Sequence, residues 1–121
     1  MDIISFEDFK KLEIRIGKII SAEKMEGSEK LLKLEVDFSP DASKAGSARL
    51  PVSGEKRQIL SGIAQFYTPE QLIGKLCPFV VNLAPKAIME LESHGMILCA
   101  DDNGPVLLHP DKEISPGSVV K

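Results

Sequence analysis

The feature that most constrains the fold is the run from Leu32 to Phe38, which alternates strictly between apolar and charged side chains. Successive side chains of a β-strand point to opposite faces of the sheet. The run therefore predicts a strand with one face in a hydrophobic core and the other face in water. The charged side chains between the apolar ones are Lys33, Glu35 and Asp37.

Several other segments have the pattern of short strands. An alternating register from Ile14 onward is interrupted at Gly17-Lys18, which predicts a long first strand kinked at that glycine. A strong turn signal, Asp102-Asn103-Gly104, predicts a late hairpin. The apolar residues on the register of the first strand are Ile14, Ile16, Ile20 and Ala22. The remaining predicted strands lie at residues 57–60, 78–81, 96–100 and 106–108.

Two short helices complete the predicted elements. Ser5 is a suitable N-cap, and apolar residues at helical spacing after it predict about two turns with one apolar face. Pro69 begins a second helix that ends near Gly74. Short strands, one early helix and a small helix between strands 3 and 4 favour a mostly β, five-stranded oligonucleotide/oligosaccharide-binding (OB) barrel. The apolar residues of the first helix are Phe6, Phe9 and Leu12.

Length and charge limit the organisation of the chain. Its 121 residues fit a single domain over 1–121. Residues 39–55 are small and polar, with several prolines and glycines, and predict a flexible inserted loop. The net charge of −3 excludes a uniformly basic nucleic-acid coat, so binding of a polyanion would require a local patch.

The sequence gives little support for catalysis, metal binding or membrane insertion. Cys77, Cys99, His94 and His109 have no paired ligand spacing, and no nucleophile or phosphate-loop motif is present. We therefore predict no catalytic residues, no metal and no cofactor. The apolar stretches are too short to span a membrane, and the start lacks a signal-peptide pattern. The expectation is a reduced, cytoplasmic protein without a membrane partner.

Polar residues at predicted strand ends are the best binding candidates. Ser, Asn and Lys at one barrel mouth are able to bond phosphate oxygens or base edges, and a methionine offers an apolar contact. The other interpretation, that Ser61 and Asn82 cap turns and Met96 belongs to the core, stays open. These strand-end residues are Ser61, Asn82, Lys86, Ser93 and Met96.

Two basic residues on the second and third strands are further candidates. Lys33 and Arg57 lie on neighbouring strands, and Lys33 must face outward because its neighbours in sequence are buried leucines. Contact with a polyanion and an ion pair with Glu35 or Glu29 are both consistent with that orientation.

Five blocks, taken together, carry a family resemblance. The chain resembles the tRNA-binding domain found at the C-terminus of many methionyl-tRNA synthetases and in stand-alone dimeric tRNA-binding proteins. The resemblance extends from about Phe6 to Val119 and is interrupted at 39–55. The blocks are FEDFKKLEIRIG (6–17), KLLKLEVD (30–37), RQILSGIA (57–64), YTPEQLIGK (67–75) and GMIL (95–98).

The resemblance implies an OB barrel without catalytic activity that binds tRNA by shape and backbone, as a homodimer formed through its N-terminal helix and C-terminal strand region. It also implies an association with an aminoacyl-tRNA synthetase. A branch of the family resembles small chaperones, which leaves a chaperone-like or protein-interaction module as the alternative. The RNA-facing positions that the resemblance implies are Lys33, Ser61, Asn82, Lys86, Ser93 and Met96.

One stretch departs from the family pattern. After Pro85 the family commonly has a basic run and a glycine, whereas this chain has one lysine, Lys86, and an acidic residue at Glu90. Each phosphate contact that is lost lowers affinity and flattens its salt dependence by roughly 0.7–0.9 in log–log slope.

Overall fold

The computed structural model describes residues 1–39 and 56–121. Apart from Ser39, the flexible loop predicted over 39–55 lies outside the described residues. The helices and strands are α1 Phe6–Phe9, β1 Ile14–Lys24, β2 Leu32–Asp37, β3 Lys56–Ser61, α2 Pro69–Leu72, β4 Leu76–Val80, β5 Lys86–Ile88, β6 Leu91–Ser93, β7 Met96–Ile97, β8 Cys99–Asp101, β9 Pro105–Leu107 and β10 Val119–Val120.

The main sheet curls into a nearly closed barrel. Its strands follow the order β3-β2-β1-β4-β7, and each neighbouring pair is antiparallel. The two edges approach one another where the His94 amide donates to the Gln58 carbonyl oxygen at 2.9 Å. β10 pairs with the first part of β1. This arrangement confirms the predicted mostly β OB barrel with a small helix between β3 and β4.

β2 supplies the centre of the core, as its alternating pattern predicts. Leu32, Leu34, Val36 and Phe38 are all fully buried, while the residues between them face outward or are partly covered. The Phe38 ring meets the Phe79 ring edge to face, with centroids 5.6 Å apart. β2 therefore lies in the barrel wall between β3 and β1, and its inner face supplies much of the buried core.

β1 is long, as predicted, but its register is not the predicted one. Ile19 is fully buried whereas Ile20 is only partly buried, because a β-bulge shifts the pairing with β2 between Ile19 and Ser21. Gly17 is buried against β2: a methyl group built on it would lie 2.4 Å from Val36 Cγ1. The glycine therefore allows close packing, and the irregularity falls a few residues later.

α1 is capped by Ser5, whose hydroxyl accepts from the Asp8 amide at 3.1 Å, as predicted. The helix is one turn long rather than two, and within the described ranges no other part of the chain buries its apolar face. Phe6 is 69% exposed and Leu12 is 44% exposed. α2 follows its prediction more closely, since Leu72 is fully buried and Gly74 (φ 89°) follows the helix end.

A hairpin that the sequence did not predict lies beside the barrel. β5 and β6 pair from Lys86–Ser93 to Ile88–Leu91, around a turn at Met89 and Glu90. Both turn residues have positive φ, 49° and 70°, a conformation that usually selects glycine or asparagine. The predicted strand over 96–100 is divided into β7 and β8, and β8 pairs with β9 around the predicted turn at 102–104.

Candidate functional site

A groove of about 530 Å³ lies between the end of β3, the β5–β6 hairpin and β7; we call it the β3–β7 groove. Four of the seven residues selected from the sequence line it, which supports the expectation that strand ends converge on one surface. These four residues are Ser61, Lys86, Ser93 and Met96.

Backbone and side-chain hydrogen bonds hold the hairpin against β3. The Ser93 hydroxyl oxygen accepts from the Leu60 amide at 3.0 Å, and the hydroxyl lies 3.0 Å from the Gly95 carbonyl oxygen, to which it donates. One residue earlier, the Gln58 side-chain amide donates to the Glu92 carbonyl oxygen at 3.0 Å. Ser93 is only 5% exposed, so its hydroxyl fixes the wall of the groove more than it offers a free contact.

Lys86 and Met96 lie at accessible positions of the groove. Lys86 is exposed on β5, and Met96 is 47% exposed at the start of β7. The interpretation of Met96 as a core residue is therefore wrong. Among the described residues that line the groove, Lys86 supplies the one positive charge.

Most of the groove surface is apolar, and sequence reasoning missed this contribution. The missed residues include Leu60 on β3, Leu83 after β4 and Ile88 on β5. Leu60 follows Ile59, which is fully buried in the core, so the alternation of β3 already places an apolar side chain on its outer face. Leu60 on the outer face of β3 was the signal in the sequence that could have indicated an apolar groove.

Lys33 lies on the same face of the sheet as the groove-lining Leu60, because the two residues are directly paired between β2 and β3. Its ammonium group lies 2.6 Å from the Glu23 carboxylate on β1. An ion pair was among the open interpretations, but the partner is Glu23 and not Glu29 or Glu35. Lys33 therefore borders the groove with its charge already paired.

The Asn82 side chain forms hydrogen bonds to backbone groups outside the β3–β7 groove. Its side-chain oxygen accepts from the Glu13 amide at 2.8 Å, and its side-chain nitrogen donates to the Lys11 carbonyl oxygen at 2.6 Å. These bonds join the end of β4 to the link between α1 and β1. They match the interpretation of Asn82 as a capping residue, and Asn82 is not among the residues lining the β3–β7 groove.

Arg57 points along the barrel end toward backbone carbonyl groups. Its Nη1 donates to the carbonyl oxygen of Val81 and to that of His94, the latter at 3.1 Å. The guanidinium carbon lies 5.9 Å from the centre of the Phe38 ring. Burial lowers the pKa of Arg57 below its ordinary value, and the nearby Glu13 carboxylate opposes that shift. A role for Arg57 in direct contact with RNA stays a prediction.

The titratable groups near the core are poorly suited to nucleophilic chemistry. Burial raises the pKa of the Cys77 thiol to about 12; Cys99 adds to the shift, and Lys75 opposes it. A thiol with that pKa stays neutral near pH 7 and is a weak nucleophile. In the described ranges, no group of three His, Cys, Asp or Glu residues is placed to hold a metal ion, and no helix is long and apolar enough to cross a membrane.

The barrel and its groove define an OB-fold binding module. A family model described as "Putative tRNA binding domain" matches residues 14–119, and the chain belongs to this tRNA-binding domain family. It is 48% identical over 118 residues to the methionine–tRNA ligase of Archaeoglobus fulgidus, and the matched region covers 97% of this chain and 16% of the relative. The methionine–tRNA ligase of Methanocella arvoryzae is 45% identical over 118 residues, with 98% and 15% covered. The chain thus spans about one sixth of the length of these relatives.

Solved structures of two kinds share the fold over nearly the whole chain. A MetRS-related protein from Pyrococcus horikoshii superposes with a TM-score of 0.82 at 35% identity, with 100% of both chains covered. The chaperone CsaA from Bacillus anthracis superposes with a TM-score of 0.79 at 29% identity, with 99% of this chain and 100% of that chain covered.

Proposed function

We propose that this chain is a non-catalytic module that binds tRNA in the β3–β7 groove. The observation that carries the proposal is the convergence of Ser61, Lys86, Ser93 and Met96 on that single groove. Membership of a tRNA-binding domain family and similarity to methionine–tRNA ligases support tRNA as the ligand.

The groove favours recognition of RNA shape and backbone. Lys86 supplies a positive charge for a phosphate group, and the apolar surface near Met96 suits the face of an unstacked base or a ribose. Because Ser93 and Asn82 bond to protein backbone, direct contacts fall mainly to Lys86, Met96 and Ser61.

The test is titration of tRNA into the Lys86→Glu variant. Reversing the one charge in the described lining should weaken binding about tenfold or more for all tRNAs, because a backbone contact carries no sequence information. The matched control is Lys112→Glu, which makes the same charge change beside a different cavity, lined also by His109 and Lys18. Equal affinities of the two variants would exclude the groove as the binding surface.

We also propose that the chain forms a homodimer through α1 and β10. Phe6, Phe9, Leu12 and Val120 are exposed apolar residues, and they line a shared groove of about 590 Å³. Burial of such a surface against a second copy would remove it from water. Light scattering should report twice the chain mass for the native protein and a single chain mass for Phe6→Asp. A monomeric native protein would refute the proposal.

As a tRNA-binding module, the chain would assist a methionyl-tRNA synthetase in the cytoplasm. Support comes from the methionine–tRNA ligase relatives and from two free cysteines, which suit a reducing compartment. Addition of the chain to a cognate synthetase should lower the KM for tRNA without changing the KM for methionine. An unchanged KM for tRNA would remove this role.

The apolar lining of the groove favours one alternative, a chaperone-like module that binds unfolded segments, and the structural match to the chaperone CsaA supports the same alternative. If it is correct, the chain should suppress aggregation of a denatured model protein at a stoichiometric ratio, and Met96→Glu should abolish the suppression. Suppression that tRNA fails to reverse would separate this activity from RNA binding.

A further inference from the structure

We propose that Arg57 is a positioning residue: its guanidinium group holds the two walls of the β3–β7 groove in the geometry that binds RNA, without itself contacting RNA. The inference rests on the proposed function of the groove. It assigns Arg57 a role different from the direct phosphate contact that the sequence suggests for a basic residue on β3.

Arg57 lies on β3, which forms one wall of the groove, and both accepting carbonyls belong to the hairpin side. One carbonyl is that of Val81, directly after β4, in the segment that leads through Leu83 to Lys86. The other is that of His94, between Ser93 and Gly95, where the chain leaves the β5–β6 hairpin. A single nitrogen atom, Nη1, therefore joins the β3 wall to both ends of the hairpin wall.

The surroundings keep the guanidinium group in place. Its carbon lies over the Phe38 ring, and Phe38 is fully buried at the centre of the core. His94 is held at both of its backbone groups: its carbonyl oxygen accepts from Arg57, and its amide donates to the Gln58 carbonyl oxygen. Hydrogen bonds from a charged donor are stronger than neutral ones, so this arrangement resists separation of the walls.

The role can be separated from a phosphate contact by salt dependence. Loss of one direct phosphate contact lowers the slope of log affinity against log salt concentration by roughly 0.7–0.9. Loss of a positioning residue weakens binding but does not change the number of phosphate contacts. The slope of log affinity against log salt concentration therefore keeps its native value. Arg57→Met tests this directly, because methionine keeps an unbranched side chain and removes the donors.

We expect Arg57→Met to weaken tRNA binding about tenfold with the native salt slope. In the ligand-free protein, we expect the Met96 methyl resonance to shift and the His94 amide to exchange faster. Arg57→Lys keeps the charge but not the forked geometry, so it should show the same changes to a smaller degree. If Arg57→Met does not fold, Arg57→Lys provides the test in its place. Leu72→Val, a core substitution in α2, controls for loss of stability alone and should bind tRNA with native affinity.

A salt slope lowered by about one unit, with an unchanged Met96 resonance, would show a direct phosphate contact and overturn the inference. Native affinity in Arg57→Met, or weakened binding in Leu72→Val of equal size, would also overturn it. If the native protein binds no tRNA, the proposed function fails. The Met96 resonance and the His94 exchange rate then decide separately whether Arg57 holds the groove walls.

Discussion

At the scale of single residues, Gly17 determines how closely β1 approaches β2. A methyl group at this position would lie 2.4 Å from Val36 Cγ1 and 2.7 Å from Phe38 Cε1, two side chains that are themselves fully buried. The core is close-packed, so neither neighbour has space to move away.

We therefore predict that Gly17→Ala lowers the free energy of unfolding by about 1–3 kcal/mol, the usual cost of overpacking a core. The measurement is urea denaturation followed by circular dichroism. Gly62→Ala is the matched control, because no atom of residues 1–39 and 56–121 lies within 4 Å of the added methyl group, and it should change stability by less than about 0.5 kcal/mol. Equal stability of the two variants would show that β1 and β2 adjust at no cost.

Cys77 provides a pH-dependent contribution to stability. Its thiol has a pKa of about 12 in the folded chain, against an ordinary value of 9.0, mainly because burial disfavours the thiolate. The folded chain thus holds this proton to higher pH than the unfolded chain does. The contribution is complete below pH 9 and is lost as the pH rises toward about 12.

Comparison of the native protein with Cys77→Ala isolates this effect from other groups that titrate in the same range. The difference between their free energies of unfolding should shrink above pH 9 by up to about 1.4 kcal/mol per pH unit. Urea denaturation at several pH values between 8 and about 11 measures it. A difference that stays constant with pH would mean that the thiol ionises equally in the folded and unfolded chains.

Ile19 and Ile20 show how far single-residue inference extends. Both are β-branched and apolar, so either suits a buried strand position. The bulge between Ile19 and Ser21 decides which one enters the core, and a bulge arises from strand pairing that the local sequence does not record. By contrast, β2 was predicted correctly because its alternation is uninterrupted from Leu32 to Phe38.

At the scale of elements, the β5–β6 hairpin shapes the groove and was absent from the sequence prediction. Its strands are three residues each, and its turn at Met89-Glu90 has none of the usual turn residues. Glycine or asparagine there would have marked the hairpin. Ser61, Lys86, Ser93 and Met96 nonetheless line one groove, because strand ends in a small barrel meet whether or not the intervening element is recognised.

The unusual turn leads to a prediction for the hairpin. Glu90 has φ 70°, where asparagine is better tolerated than glutamate, so Glu90→Asn should raise the free energy of unfolding by about 0.5–1 kcal/mol. Glu92→Asn is the matched control: it removes the same charge from an extended position in β6, where asparagine is disfavoured. Thermal unfolding of both variants provides the measurement. A gain in both would attribute the effect to charge and not to turn conformation.

At the scale of the whole molecule, the charge distribution limits how strongly RNA binding depends on salt. The chain carries −3 overall, and under the proposed function the positive charges available to phosphate in the described groove and at its border are Lys86 and, if Glu23 is displaced, Lys33. Two contacts correspond to a slope of roughly −1.4 to −1.8 in log affinity against log salt concentration for each copy of the chain.

Titrations of tRNA at several salt concentrations test this expectation, and Lys86→Gln should bring the slope roughly 0.7–0.9 closer to zero. A much steeper native slope would show that lysines or arginines outside the described groove also contact the RNA backbone.

The barrel was predicted from sequence because its strands each carry a readable pattern. The paired state of Lys33 was not, because it depends on the register of β1 against β2.

The Lys33–Glu23 pair has a consequence for selectivity. The Glu23 carboxylate is paired with the Lys33 ammonium group, so a phosphate that binds Lys33 has to compete with it. A small anion such as free phosphate offers little more than this carboxylate. A polynucleotide brings many charges at once and gains the entropy of its released counterions, so it is able to displace Glu23. The carboxylate would therefore favour polynucleotides over small anions at Lys33.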